Sequence, residues 1–129
     1  MSVPETLEVE GVSCAGARSV VRSVLTDACG ALPLAAARRL RDDALLVASE
    51  LTSNALLHGG GVTHFSASLR GDALELRVSD RSSEVPGQKP TVRGRPGGYG
   101  WMVVQRLCSR LGIEVGPGGK TITAALALP

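Results

Sequence analysis

Between Pro33 and the triplet Gly59-Gly60-Gly61 the chain runs without a helix breaker, rich in Ala, Leu and Arg from Leu34 to Leu57. Pro33 suits the first turn of a helix, where a missing N–H costs nothing, and the glycines stop it. Leu40, Ala44, Val47, Ala48, Leu51 and Ala55 fall on one apolar stripe, so this helix must lie on a surface able to cover it. Glu50, Asn54 and His58 follow one another at intervals of one turn, each rotated only ~40° from the last. Glu50 and Asn54 sit on the border of the stripe and not at the centre of the wet face. Polar groups half-turned toward an interior need partners, and a bound ligand can supply them. A carboxylate can accept a proton or order a water, and a carboxamide oxygen suits Mg²⁺. On these residues alone, a solvated helix edge is the other reading.

The remaining chain supplies the surface. Residues 5–10 alternate polar and apolar, as a short strand does. Ser13 opens a helix carrying Val20, Val21, Val24 and Leu25, with Gly30 as its stop. Val62 to Arg70 and Ala73 to Ser79 read as a hairpin around Gly71-Asp72, with Asp80 at the end of the second strand. From Arg81 to Gly100 the texture changes: Pro86, Pro90 and Pro96 and five glycines replace the apolar side chains. So long a stretch without secondary structure marks a functional loop or disorder. Trp101 to Leu111 is predicted as a helix ended by Gly112, followed by strands over 113–115 and 121–128 on either side of Gly116-Pro117-Gly118-Gly119. The predicted fold class is α+β: a mostly antiparallel sheet with helices on one face, in one domain spanning residues 1–129.

The composition narrows the function classes. With 43% hydrophobic but only 2% aromatic residues, the core of this chain has to be Ala, Val and Leu. A net charge of +2, from 14 basic and 12 acidic residues, speaks against direct nucleic-acid binding through a broad phosphate-holding patch. Cys14, Cys29 and Cys108 are widely spaced and odd in number, which predicts reduced thiols over disulfides or zinc. The start lacks the pattern of a signal peptide, and no apolar run approaches the ~20 residues of a membrane span. The expectation is a cytoplasmic protein without membrane contact.

Two phosphate motifs fail on inspection. Gly119-Lys120-Thr121 ends like a P-loop, but Glu114 stands where the first glycine is required and a strand, not a helix, follows. Gly98-Tyr99-Gly100 begins like a dinucleotide fingerprint, but Val103 occupies the third glycine position and no strand precedes it. Gly98 and Gly100 instead lie where a loop enters a helix, a place where free backbone N–H groups can meet an anion. The alternative is a simple glycine hinge. Asp80 either begins a turn or, buried at the sheet edge, accepts a hydrogen bond from a ligand amino group.

Glu50-x-x-x-Asn54, then Asp80, then a Pro/Gly-rich loop into Gly98-x-Gly100, then Gly119-Lys120-Thr121 together resemble the ATP-binding domain of the GHKL superfamily. The wording of Glu50 to Gly59 and of Gly118 to Thr121 is most similar to the anti-sigma-factor serine/threonine kinase branch, small regulators abundant in actinobacteria. The resemblance covers the chain from about Ser13 to Leu128. It implies the two-layer α/β sandwich of that superfamily (the Bergerat fold), with a lid over about residues 81–99, and ATP and Mg²⁺ as cofactors. Asn54 would be the Mg²⁺ ligand, Glu50 the catalytic carboxylate and Asp80 the reader of the adenine amino group. Gly98 and Gly100 would give backbone contacts to the phosphates, Thr121 would lie near the adenine, and His58 would sit near the phosphates. The implied partners are a sigma factor, an antagonist protein phosphorylated on serine or threonine, or both, with a homodimer as a further possibility. One departure stands out. The family's Asp-x-Gly-x-Gly loop is here Asp80-Arg81-Ser82-Ser83-Glu84, where Ser82 and Glu84 resist the backbone freedom that glycine allows. Lys89, Arg93 and Arg95 in the loop offer cations for phosphate in compensation. The alternatives are a binding module that sequesters a partner with little or no catalysis, and an ATPase without a protein acceptor.

Overall fold

The computed structural model describes residues 6–9, 11–86 and 98–129. In chain order these form β1 (Thr6–Val9), α1 (Cys14–Gly30), α2 (Leu34–His58), β2 (Val62–Arg70), β3 (Ala73–Asp80), α3 (Gly98–Leu107), β4 (Arg110–Gly116) and β5 (Gly119–Ala127). The five strands make one sheet in the order β1-β2-β3-β5-β4, and every neighbouring pair is antiparallel. The α+β expectation holds.

Strand alternation places Phe65 and Ala67 of β2, Leu74, Leu76 and Val78 of β3, and Ile122, Ala124 and Leu126 of β5 on one face of the sheet. All of them belong to a single buried cluster with Val21 and Leu25 of α1, Leu40, Val47 and Leu51 of α2, and Val104 of α3. The apolar stripe read along α2 is therefore the seam between helices and sheet. The core is mostly Ala, Val and Leu, and among the described residues Phe65 is the one aromatic side chain fully buried in it.

Local chemistry explains most boundaries. Ser13 caps α1, its hydroxyl accepting from the Gly16 N–H at 3.1 Å. Pro33 lies one residue earlier than predicted: it is the N-cap of α2, with ψ at 146°, and its carbonyl accepts from the Ala37 N–H at 2.9 Å. The largest difference is α3, which ends at Leu107 and does not continue to Leu111. The Ser109 N–H and hydroxyl both donate to the Ala125 carbonyl, at 2.8 and 3.1 Å, and fasten the chain to β5. Leu111 and Ile113 then pair with Ala124 and Ile122 and face the core as alternate residues of β4. Gly112 is a strand residue, not a helix stop. Residues 81–86 carry no helix or strand, and the predicted lid positions 87–97, with Lys89, Arg93 and Arg95, lie outside the described residues.

Candidate nucleotide site at the α2–α3 and β3–β5 ends

The ridge of α2 meets two other elements. Glu50 is half-buried, and its carboxylate lies against the first turn of α3: a Cβ on Gly100 would overlap Oε2 and come within 2.8 Å of Cδ. Fifty residues apart in sequence, Glu50 and Gly100 are brought together. A carboxylate there is favoured by the free N–H groups and positive end of α3. The anion that meets this helix start is thus the protein's own. Asn54, also half-buried, follows one turn along α2, ~6 Å further along the axis. His58, the last residue of α2, is exposed.

The far end of α2 leans on Asp80. Gly59 packs on that carboxylate so closely that a Cβ would come within 2.5 Å of Cγ and Oδ2, while the Gly59 carbonyl accepts from the Arg81 N–H at 2.9 Å. Asp80 shares the helix-facing side of β3 with Val78, and Lys120 stands directly opposite it on β5. Its ammonium reaches both carboxylate oxygens, at 2.8 and 3.0 Å, with both side chains only 2% exposed. The Ser82 N–H donates to Asp80 Oδ1 at 2.9 Å, and the Ser82 carbonyl accepts from Lys120 Nζ at 3.4 Å. Gly119 at φ 140° carries the chain past the Asp80 carbonyl, where a Cβ would overlap that oxygen.

Thr121 points the other way. It is the neighbour of Lys120 on β5, so it occupies the opposite face of the sheet, where its hydroxyl pairs with that of Ser79 at 2.7 Å. A cleft of about 360 Å³ at this end of the sheet is lined by Thr63, Ser79, Glu114 and Thr121 together with Asp80, Lys120 and glycines of the β4–β5 turn.

Among the candidate residues, then, Glu50 joins Gly100 and the helix start that Gly98 opens, and Asp80 joins the end of α2. Asn54 lies between these two points along α2, and Thr121 shares a cleft with Asp80 although its hydroxyl is on the opposite face of the sheet. Two residues that matter were not singled out from the sequence. Lys120 entered only as part of the Gly119-Lys120-Thr121 motif, without a role of its own, and Gly59 only as a helix stop and the end of a resembling stretch. The available signal for Lys120 was parity: it begins β5 as Asp80 ends β3, and antiparallel pairing can put such positions on one rung.

The Glu50 carboxylate and the Asn54 carboxamide carry oxygens of the kind that Mg²⁺ takes. Among the described residues no three His, Cys, Asp or Glu side chains cluster closely enough to hold a metal by themselves. Mg²⁺ is commonly held by one or two protein oxygens together with phosphate oxygens, which Glu50 and Asn54 can supply. The base end does not fit equally well, because the Asp80 carboxylate is already hydrogen-bonded from within the chain.

Residues 13–126 match the family model of the histidine kinase-like ATPase domain. No curated protein matches the chain. Among solved structures, the histidine kinase domain from the Erythrobacter litoralis EL346 blue-light activated histidine kinase is similar over 93% of this chain and 65% of that one, at 19% identity and a TM-score of 0.53. A structure of the Erythrobacter litoralis EL346 blue-light activated histidine kinase is similar over 75% of this chain and 32% of that one, at 24% identity and a TM-score of 0.50. The chain thus spans less than two thirds of either structure, and at these identities the likeness is one of fold.

Proposed function

Since the chain belongs to the histidine kinase-like ATPase domain family, we propose that it is a regulatory domain that takes a Mg²⁺-bound nucleoside triphosphate along α2. In this reading it acts as anti-sigma-factor serine/threonine kinases do, phosphorylating an antagonist protein, binding a sigma factor, or both. The observation that carries the site is the half-buried Glu50 carboxylate at the start of α3 with Asn54 one turn away. Asn54 would hold the Mg²⁺, and the metal would neutralise phosphate charge that Glu50 otherwise repels. Glu50 would accept the proton of an acceptor serine or threonine hydroxyl. Phosphoryl transfer asks chiefly for such positioning and charge neutralisation. Gly100 gives the carboxylate room.

A second reading is favoured by a specific observation. The buried Asp80–Lys120 pair and the replacement of the two loop glycines by Ser82 and Glu84 support a binding module that engages its partner with little or no catalysis. Calorimetric titration with Mg·ATP and transfer of labelled γ-phosphate to a candidate antagonist separate the two. The kinase reading expects wild type to bind and transfer, Asn54→Ala to lose most of the binding, and Glu50→Ala to bind but lose transfer by about 10²-fold or more, the scale of a general base. Absence of heat at millimolar Mg·ATP sinks the nucleotide reading. Binding without transfer to any antagonist leaves the binding module.

A further inference from the structure

The Asp80 carboxylate is the natural acceptor for a base amino group, yet its hydrogen-bonding capacity is nearly spent. An ionised carboxylate offers about four lone-pair positions. Three are taken: the Lys120 ammonium engages both oxygens and the Ser82 N–H donates to Oδ1. The ammonium is saturated too, since its three N–H donors meet Asp80 Oδ1, Asp80 Oδ2 and the Ser82 carbonyl. Gly59 covers the carboxylate from the α2 side, and the pair is shut off from water. A ligand amino group finds at most one position left on Asp80, and to take another it must displace a buried ammonium whose one remaining acceptor is the Ser82 carbonyl at 3.4 Å. Leaving such a charge unpaired costs several kcal/mol, more than one neutral hydrogen bond returns.

We propose that Lys120 stands in for the amino group of the base, so that the site does not read the base through Asp80 and holds a triphosphate by its phosphate end alone. This rests on the nucleotide reading above and deepens it: Lys120 is a specificity-determining residue, and its effect is to make the site indifferent to adenine. The positively charged side chain acts here by occupying an acceptor, not by meeting a phosphate.

The test compares Mg·ATP with Mg·ITP, which carries the same triphosphate but a 6-oxo group in place of the 6-amino group. Wild type and Lys120→Met are titrated with each by calorimetry, with circular dichroism to confirm folding. The expected result is that wild type binds the two nucleotides within about twofold, while Lys120→Met prefers ATP by about tenfold, the return of one hydrogen bond. A tenfold preference for ATP in wild type overturns the inference and leaves the nucleotide reading intact. A folded Lys120→Met that binds both alike overturns it as well. A silent wild type beside a variant that binds ATP overturns it too, because the native site then holds no triphosphate by its phosphate end. Silence from both proteins with both nucleotides ends the two together. Should the lone buried carboxylate unfold Lys120→Met, the wild-type ratio decides: equality supports the inference and a tenfold preference overturns it.

Discussion

An ammonium and a carboxylate taken out of water together are held by one another, and removing either strands the other. Lys120→Met should therefore destabilise the domain by about 3–5 kcal/mol in urea unfolding, whereas Asp80→Leu/Lys120→Met should recover most of that loss. Equal stability of the single and double variants would show that a stranded carboxylate is not what destabilises Lys120→Met. The glycines beside it make a sharper steric prediction. Gly59 has φ −107°, a backbone any residue can adopt, so Gly59→Ala tests contact alone. With its Cβ within 2.5 Å of the Asp80 carboxyl, it should cost about 1–3 kcal/mol, the range of overpacking in a tight site. Gly100→Ala drives a methyl into the Glu50 carboxylate and should lower triphosphate affinity and stability together, read by calorimetry and by urea midpoint. None of these contacts is visible in a string of residues: Glu50, Asn54 and Asp80 stand out by type and spacing, but Gly59 and Lys120 acquire their roles only from what they touch.

At the scale of elements, α2 was legible nearly to the residue because its stripe repeats at helical spacing and its ends carry Pro33 and Gly59. The hairpin of β2 and β3 was equally plain from alternation around Gly71-Asp72. Helix α3 was overextended because Leu107 and Leu111 satisfy a helical spacing and a strand start alike. Only the bonds from Ser109 to the Ala125 carbonyl decide between them. Cys108 sits at this junction, and burial pushes its thiol from the usual 9.0 up to about 11. Below pH 9.0 the folded and unfolded chains both keep that proton. Between 9.0 and about 11 the unfolded chain releases it while the folded chain holds it, so the folded state loses stability as pH rises through this window. Urea midpoints should fall more between pH 8 and pH 10 for wild type than for Cys108→Ala, and Cys108 should resist iodoacetamide at pH 8. A Cys108 that alkylates at pH 8 as fast as a free thiol would contradict its placement.

For the whole molecule, one layer of helices closes one face of an antiparallel sheet, and the candidate residues lie along the second half of α2, where it meets the starts of α3 and β5 and the end of β3. If that region takes Mg·ATP in the folded state only, nucleotide at 100 times its Kd should add about 2.7 kcal/mol of stability. The rise in melting temperature should vanish in Asn54→Ala, and a rise of equal size in that variant would remove Asn54 from the site. The amino-acid sequence by itself determined the periodic content of this protein: which stretches become helix or strand, which faces are apolar, and which polar residues lie at the border of the α2 stripe. Those are short-range properties, set by side-chain spacing along a few turns or a few strand residues. What faces what across the sheet was decided by tertiary structure. The placement of β5 beside β3 joins positions 40 residues apart and puts Lys120 on the rung of Asp80. The packing of α3 on α2 likewise delivers Glu50 to a helix start. The Glu50 carboxylate lies against the first turn of α3, while the Asp80 carboxylate is already matched by an ammonium. The difference lies in long-range register, which no local pattern encodes.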